Sequence, residues 1–179
     1  MLQKYNRWKV LKVFFDNPKP EGGGFQLREI SRITNLALPS VKNYLEDLKE
    51  ENLIVKTKHR IHAYPVYWAN RTSDNFRFLK KMDMIFSIKN SGLLEYLSNK
   101  YMPGAIVLFG SASRGEDLKE SDIDLFLLCA DTKIDVAKYE AVLNRKINIL
   151  FSKDFKSISN ELKNNIINGV VLSGYLKGF

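Results

Sequence analysis

The stretch Leu108-Phe109-Gly110-Ser111-Ala112-Ser113-Arg114-Gly115-Glu116-Asp117-Leu118-Lys119-Glu120-Ser121-Asp122-Ile123-Asp124-Leu125-Phe126-Leu127-Leu128 sets a glycine-serine pair ahead of two alternating aspartates, with ten residues between. Strand side chains alternate between faces, so Asp122 and Asp124 share one face while Ile123, Leu125 and Leu127 take the other. The apolar face can be buried, which leaves two carboxylates side by side. Like charges held that close repel unless a cation or another partner sits between them. Hard oxygen ligands of this kind suit Mg²⁺, which takes one or two carboxylates together with substrate phosphates. Upstream, Ala105 to Phe109 reads as a short apolar strand that stops at Gly110. A glycine there lets successive backbone N–H groups turn toward an anion and open a short helix. The residues therefore describe a phosphate cradle beside a metal site.

The spacing of Gly110-Ser111 and Asp122-Ile123-Asp124 resembles the signature of the nucleotidyltransferase superfamily related to DNA polymerase beta. With Arg114-Gly115 and Ser121 added, it is similar to the minimal nucleotidyltransferase branch found in archaea and bacteria. The resemblance covers Ser91 to Phe179 and implies a mixed sheet with packed helices. It further implies that Gly110 and Ser111 contact the triphosphate and that Asp122 and Asp124 hold Mg²⁺ or Mn²⁺ and are catalytic. Members transfer a nucleoside monophosphate from a nucleoside triphosphate to a protein or other hydroxyl acceptor, and some act as antitoxins that adenylylate a helical toxin. Positive charge near the triphosphate stabilises the leaving pyrophosphate, and Arg114 is the candidate for that nucleotide-binding and catalytic role, with Lys119 and Lys146 beside it. The family places a third carboxylate on the next strand, where Arg145-Lys146-Ile147-Asn148-Ile149-Leu150-Phe151 carries Asn148 instead. An amide offers a metal a carbonyl oxygen but cannot accept the proton of an attacking hydroxyl. Asp154 falls beyond the strand and off the spacing, and Glu116, Asp117 and Glu120 read as solvated loop residues.

Charge separates the two halves of the 179-residue chain. Residues 1–90 hold 17 Lys+Arg against 9 Asp+Glu, whereas residues 91–179 hold 11 of each, so the whole net charge of +8 belongs to the first half. A basic half joined to a neutral one with an acidic motif implies two different partners. The basic half has its own periodicity. Arg7 to Phe15 is helical in spacing and stops at Asn17-Pro18-Lys19-Pro20, and Glu21 to Gly24 forms a flexible entry. Leu27 to Ile33 reads as a second helix, Thr34-Asn35 as a turn, and Pro39 to Glu50 as a third helix with Val41, Leu45 and Leu48 facing inward. Leu53 to Thr57 and Ala63 to Trp68 then flank a basic turn, Lys58-His59-Arg60.

That order resembles a winged helix-turn-helix domain of the archaeal regulator type, over Lys4 to Asn70, with Leu27-Arg28-Glu29-Ile30 and Val41-Lys42-Asn43-Tyr44-Leu45 carrying the likeness. By analogy the third helix enters the major groove of double-stranded DNA. Ser40, Lys42 and Asn43 would face the bases, while Arg28, Arg32, Lys56, Lys58 and Arg60 would meet phosphates or the minor groove. Winged helices also bind proteins, so both partner classes stay open.

The expected fold class is α+β in two domains: residues 1–72 winged helix-turn-helix, residues 73–90 a connecting helix, and residues 91–179 the transferase-like domain. The apolar stripe of the connecting helix could cover a second subunit, making a homodimer one expected partner. Further helices are expected to begin with Leu93, Leu94 and Leu97 and to span Ile134 to Leu143 and Ser159 to Asn168, with an edge strand at Val170 to Leu172. His59 and His62 lack further ligands for a zinc site, and the lone Cys129 reads as a small buried hydrophobe in a reducing compartment. With no apolar run long enough to span a bilayer and no signal-like start, the expectation is a cytoplasmic protein without membrane association. Three functions fit: an active nucleotidyltransferase with a DNA-binding module, a nucleotide-sensing transcriptional regulator without turnover, and an antitoxin-like partner of a helical toxin.

Overall fold

The structure, a computed structural model, describes residues 5–18, 20 and 23–177. Lys4 at the start of the winged-helix likeness, Lys19, Glu21 and Gly22 of the expected entry, and Gly178 and Phe179 at the end of the second domain lie outside the described residues. The chain divides into two compact units, Met1–Phe78 and Leu79–Phe179.

The first unit contains α1 (Asn6–Asp16), α2 (Leu27–Thr34), α3 (Leu38–Glu50) and an antiparallel hairpin of β1 (Ile54–Lys58) and β2 (Pro65–Ala69). Apolar residues at helical intervals make its core: Val10, Leu11 and Phe14 from α1, Ile30 from α2, and Val41, Leu45 and Leu48 from α3 are all at most 1% exposed. Each such aliphatic or aromatic side chain contributes about 1.5–3 kcal/mol by leaving water. A reciprocal capping box between Gln26 and Glu29 starts α2, and Asn35, in the left-handed region at φ 54°, stops it. Pro39 sits in the first turn of α3, where a missing N–H costs nothing. Phe25 exchanges backbone hydrogen bonds of 2.9 Å with Tyr67 and meets Phe14 edge-on at 5.6 Å, tying the segment before α2 to the hairpin and to α1. Helix α4 (Asp74–Asn90) contributes Phe76 to this unit, where it packs against Phe15, and Ile88 to the second.

The second unit is a four-stranded mixed sheet in the order β5-β4-β3-β6, built from β3 (Ala105–Phe109), β4 (Ile123–Leu128), β5 (Ile147–Ser152) and β6 (Val170–Gly174). β3 runs antiparallel to β4 and β6, while β4 and β5 are parallel. Both faces of the two central strands are covered. Ile106, Leu108, Ile123, Leu125 and Leu127 pack with Ile88 of α4 and with Leu93 and Leu97 of α5 (Leu93–Tyr101). Ala105, Val107 and Phe126 pack on the opposite face with Phe155, from a 3₁₀ turn at Phe155–Ser157, and with Ile166 of α8 (Asn160–Ile167). Helix α6 (Gly110–Arg114) is a single turn between β3 and the long loop.

Several expected elements have different bounds, among them β2, which starts at Pro65 rather than Ala63. Helix α7 (Ala137–Leu143) starts three residues later than Ile134, because the Asp135 carboxylate accepts the Ala137 N–H at 3.1 Å and so competes with helical bonding just ahead of it. β6 continues to Gly174 and follows an irregular step in the β3 register between Ile106 and Val107. Among the described residues no helix is long and apolar enough to cross a membrane.

On the surface of α3, Glu46 accepts hydrogen bonds from Lys49 and from Lys56, the latter at 2.8 Å, and these lower its pKa from 4.5 to about 2. A carboxylate with a depressed folded-state pKa contributes stability above about pH 4.5 that is lost as pH falls toward 2. The pairs are solvated, so the contribution stays below about 1 kcal/mol. Glu46→Gln should lower urea stability slightly at pH 7 and make no difference near pH 2; an equal deficit at both values would show that the carboxylate's charge is not the cause.

Candidate functional site

β3 ends where Phe109 pairs with Asp124 across the antiparallel ladder, and the chain then turns sharply at Gly110, φ +72°. A Cβ at Gly110 would run into the Asp124 carboxylate, so glycine is favoured both by the left-handed backbone and by the close approach. Ser113 Oγ donates to the Gly110 carbonyl at 2.8 Å, and Glu116 N–H donates to the Ser111 carbonyl at 3.0 Å, which holds the turn closed. Ser111 itself is half-buried.

Parallel pairing puts Asn148 of β5 level with Asp124 of β4. Asp122 stands just ahead of β4 on the same face. The Asn148 amide nitrogen donates to Asp122 Oδ2 at 3.0 Å and to Asp124 Oδ1 at 3.2 Å, bridging the two carboxylates. Two N–H dipoles directed at neighbouring anions offset the repulsion that either carboxylate alone would impose on the other. Asp122, Asp124, Asn148 and Gly110 therefore converge at one end of the sheet. Among the described residues no cluster of three or more His, Cys, Asp and Glu side chains could hold a metal ion. The donor set that fits a hard divalent cation is two carboxylates with the Asn148 carbonyl oxygen, presented once the amide turns over; water and phosphate complete such a shell.

The other candidates lie apart from this point. Arg114 is exposed, and its Nε donates to Glu116 Oε2 at 2.8 Å rather than to Asp122 or Asp124. Lys146 lies 3.7 Å from Glu140, and Lys119 and Glu120 are exposed. Asp154 caps the 3₁₀ turn by accepting the Lys156 N–H at 2.9 Å. Asp117 departs from its expected place in solvent. It is 1% exposed, and its Oδ2 forms ion pairs with Lys80 at 3.0 Å and Arg145 at 2.7 Å. The sequence around Asp117 gives no sign of this, because both cations come from remote segments and a run of polar loop residues looks solvated whichever way each one points.

In the first unit Arg28, Arg32, Ser40, Lys42, Asn43, Lys58 and Arg60 are exposed. Lys56 is also exposed, but its ammonium is turned to Glu46 and lies 5.8 Å from the centre of the Tyr67 ring. His59, His62 and Tyr64 stack on one another at 4.7–5.8 Å, and His59 Nδ1 accepts the Ile61 and His62 N–H groups at 3.3 Å, so these rings shape the hairpin turn. The turn borders a cavity of about 380 Å³ lined by Lys58, Arg60 and Trp68 among others. In the second unit, burial and the neighbouring Asp131 push the Cys129 thiol pKa up, which disfavours a reactive thiolate.

Two solved structures are similar to part of the chain. One, described as a toxin-antitoxin with AMP-PNP, is 27% identical with a TM-score of 0.37 and covers 48% of this chain and 74% of its own. The other, a mutant of the toxin-antitoxin MntA-HpeT, is 26% identical with a TM-score of 0.36 and covers 48% and 73%. No curated protein matches the chain significantly. Residues 91–176, the segment that carries the sheet, the Gly110 turn, both carboxylates and Asn148, match the family described as Polymerase beta, Nucleotidyltransferase.

Proposed function

We propose that the second unit binds a nucleoside triphosphate with Mg²⁺ and transfers a nucleoside monophosphate slowly to a hydroxyl acceptor, and that the first unit is a winged-helix module that binds double-stranded DNA. The observation that carries the proposal is the Asn148 amide, 3.0 Å from Asp122 and 3.2 Å from Asp124, beside a turn that favours glycine. Gly110 and Ser111 take the phosphates, using backbone N–H groups that no side chain crowds. Asp122 and Asp124, with the Asn148 carbonyl oxygen, are the residues that would hold the ion; bound there, Mg²⁺ would neutralise charge on the phosphates. Arg114 must leave Glu116 to add its charge at the departing pyrophosphate.

Asn148 also limits the rate. In the position where the family resemblance implies a third carboxylate, an amide can orient an acceptor hydroxyl but cannot take its proton. The same residue favours a second reading, in which the protein senses nucleotide and regulates DNA binding without turnover.

Replacing Asp122 and Asp124 together by asparagine should abolish Mg²⁺-dependent binding of ATP or GTP in calorimetry and leave the circular dichroism spectrum intact; undiminished affinity would remove the metal-site assignment. Asn148→Asp should raise the rate of pyrophosphate release by about 10²–10⁴-fold, the usual worth of a general base. Rapid release by the natural protein, unaltered by that change, would mean that another group takes the proton. Tight nucleotide binding with no release in either form would select the sensing reading.

For DNA, Lys42→Glu with Arg60→Glu should weaken binding to random duplex and flatten its dependence on salt, because a protein that neutralises fewer phosphates displaces fewer counterions. Undiminished duplex binding by the double variant in a low-salt titration would exclude this surface.

A further inference from the structure

The geometry points to Asp117 and Arg145 as positioning residues that set Asp122 against Asn148. Asp124 is held by the β-ladder, but β4 begins only at Ile123, so Asp122 depends on the loop before it. That loop is tied at several points. The Asp117 side chain is fully buried, with Lys80 4% and Arg145 10% exposed around it. Neither Asp117 carboxylate oxygen accepts an aligned hydrogen bond, so its compensation is the positive charge of Lys80 and Arg145, 3.0 and 2.7 Å away. Lys80 Nζ also donates to the Asp117 backbone carbonyl.

Arg145 is the link to the site. The nitrogen that faces Asp117 also donates to the Ser121 carbonyl at 3.2 Å, one residue before Asp122. Ser121 Oγ accepts the Leu118 N–H at 2.9 Å, and on the far side of Asp122 the Ile123 N–H donates to the Lys146 carbonyl at 2.8 Å. Asp122 is thus clamped between two neighbours, each fastened to the turn that leads into Asn148. Lys80 lies outside the matched segment 91–176, so the clamp draws on helix α4 as well. A fold-stabilising ion pair would need only charge balance. A positioning role needs, in addition, the bond from Arg145 to Ser121.

This inference rests on the proposed metal and nucleotide site, and its test separates the two. Arg145→Lys retains a cation beside Asp117 but is too short to keep the Ser121 carbonyl. In the full chain, Mn²⁺ titrated by electron paramagnetic resonance should bind Arg145→Lys about tenfold more weakly, as is usual when a residue supporting a metal ligand is removed. Hydrogen exchange in the metal-free protein should speed up at Leu118 and Ile123 while the β3 amides stay protected. The pair Asp117→Asn with Lys80→Met, which removes one charge of each sign, should show the same weakening and guards against misfolding of a single variant. Affinity within twofold of the natural protein together with unchanged exchange would overturn the assignment. If the natural protein binds no Mn²⁺, the site reading fails, and exchange alone decides the clamp: faster exchange at Leu118 and Ile123 supports it, unchanged exchange refutes it.

Discussion

Two carboxylates placed two residues apart at the end of a strand cannot stand side by side without something positive between them. In this protein the something is the amide of Asn148, and the surrounding architecture serves that meeting. Parallel pairing of β4 with β5 brings Asn148 level with Asp124, antiparallel pairing of β3 with β4 brings Gly110 against the same carboxylate, and the Asp117 network fixes the approach of Asp122. The sheet's two apolar cores make this arrangement rigid. Phe126 lies on the aspartate face and is covered by Phe155, so the polar end of the strand is bounded by packed hydrophobes rather than by open solvent.

Strand alternation made much of the second unit legible. Val107, Leu108, Leu125 and Leu127 announce buried strands, and the break at Gly110 announces the turn, because both signals are local. Helix bounds read less well where side chains compete with the backbone, as at Asp135. Asp117 was illegible for a different reason: burial of an ionised loop residue depends on which distant cations arrive beside it, and Lys80 and Arg145 reach it only through the tertiary fold. The bridge made by Asn148 lay between these extremes. Its place on β5 followed from the family resemblance, but that its nitrogen would join both carboxylates required the register of β4 and β5.

In the first unit the apolar intervals of α1 and α3 fixed the core, since Val10, Val41, Leu45 and Leu48 are all inside, whereas in α2 Ile30 is buried but Ile33, expected on the same face, is 56% exposed. Charge read less directly. All eight polar and basic side chains expected at DNA are exposed, yet the ammonium of Lys56 is engaged by Glu46, which a count of lysines does not reveal. A surplus of positive charge therefore overstates how many cations are available to meet phosphate.

The Asn148 bridge has a consequence for the proposed ion site. An uncharged side chain already spans the carboxylates, so order at the end of the sheet does not wait for a cation to arrive. A third carboxylate there would place three acceptors around one point and make local order depend on the ion supply, a familiar exchange of resting stability for activity. At the proposed site the amide would thus trade proton-accepting power for an order that needs no ion.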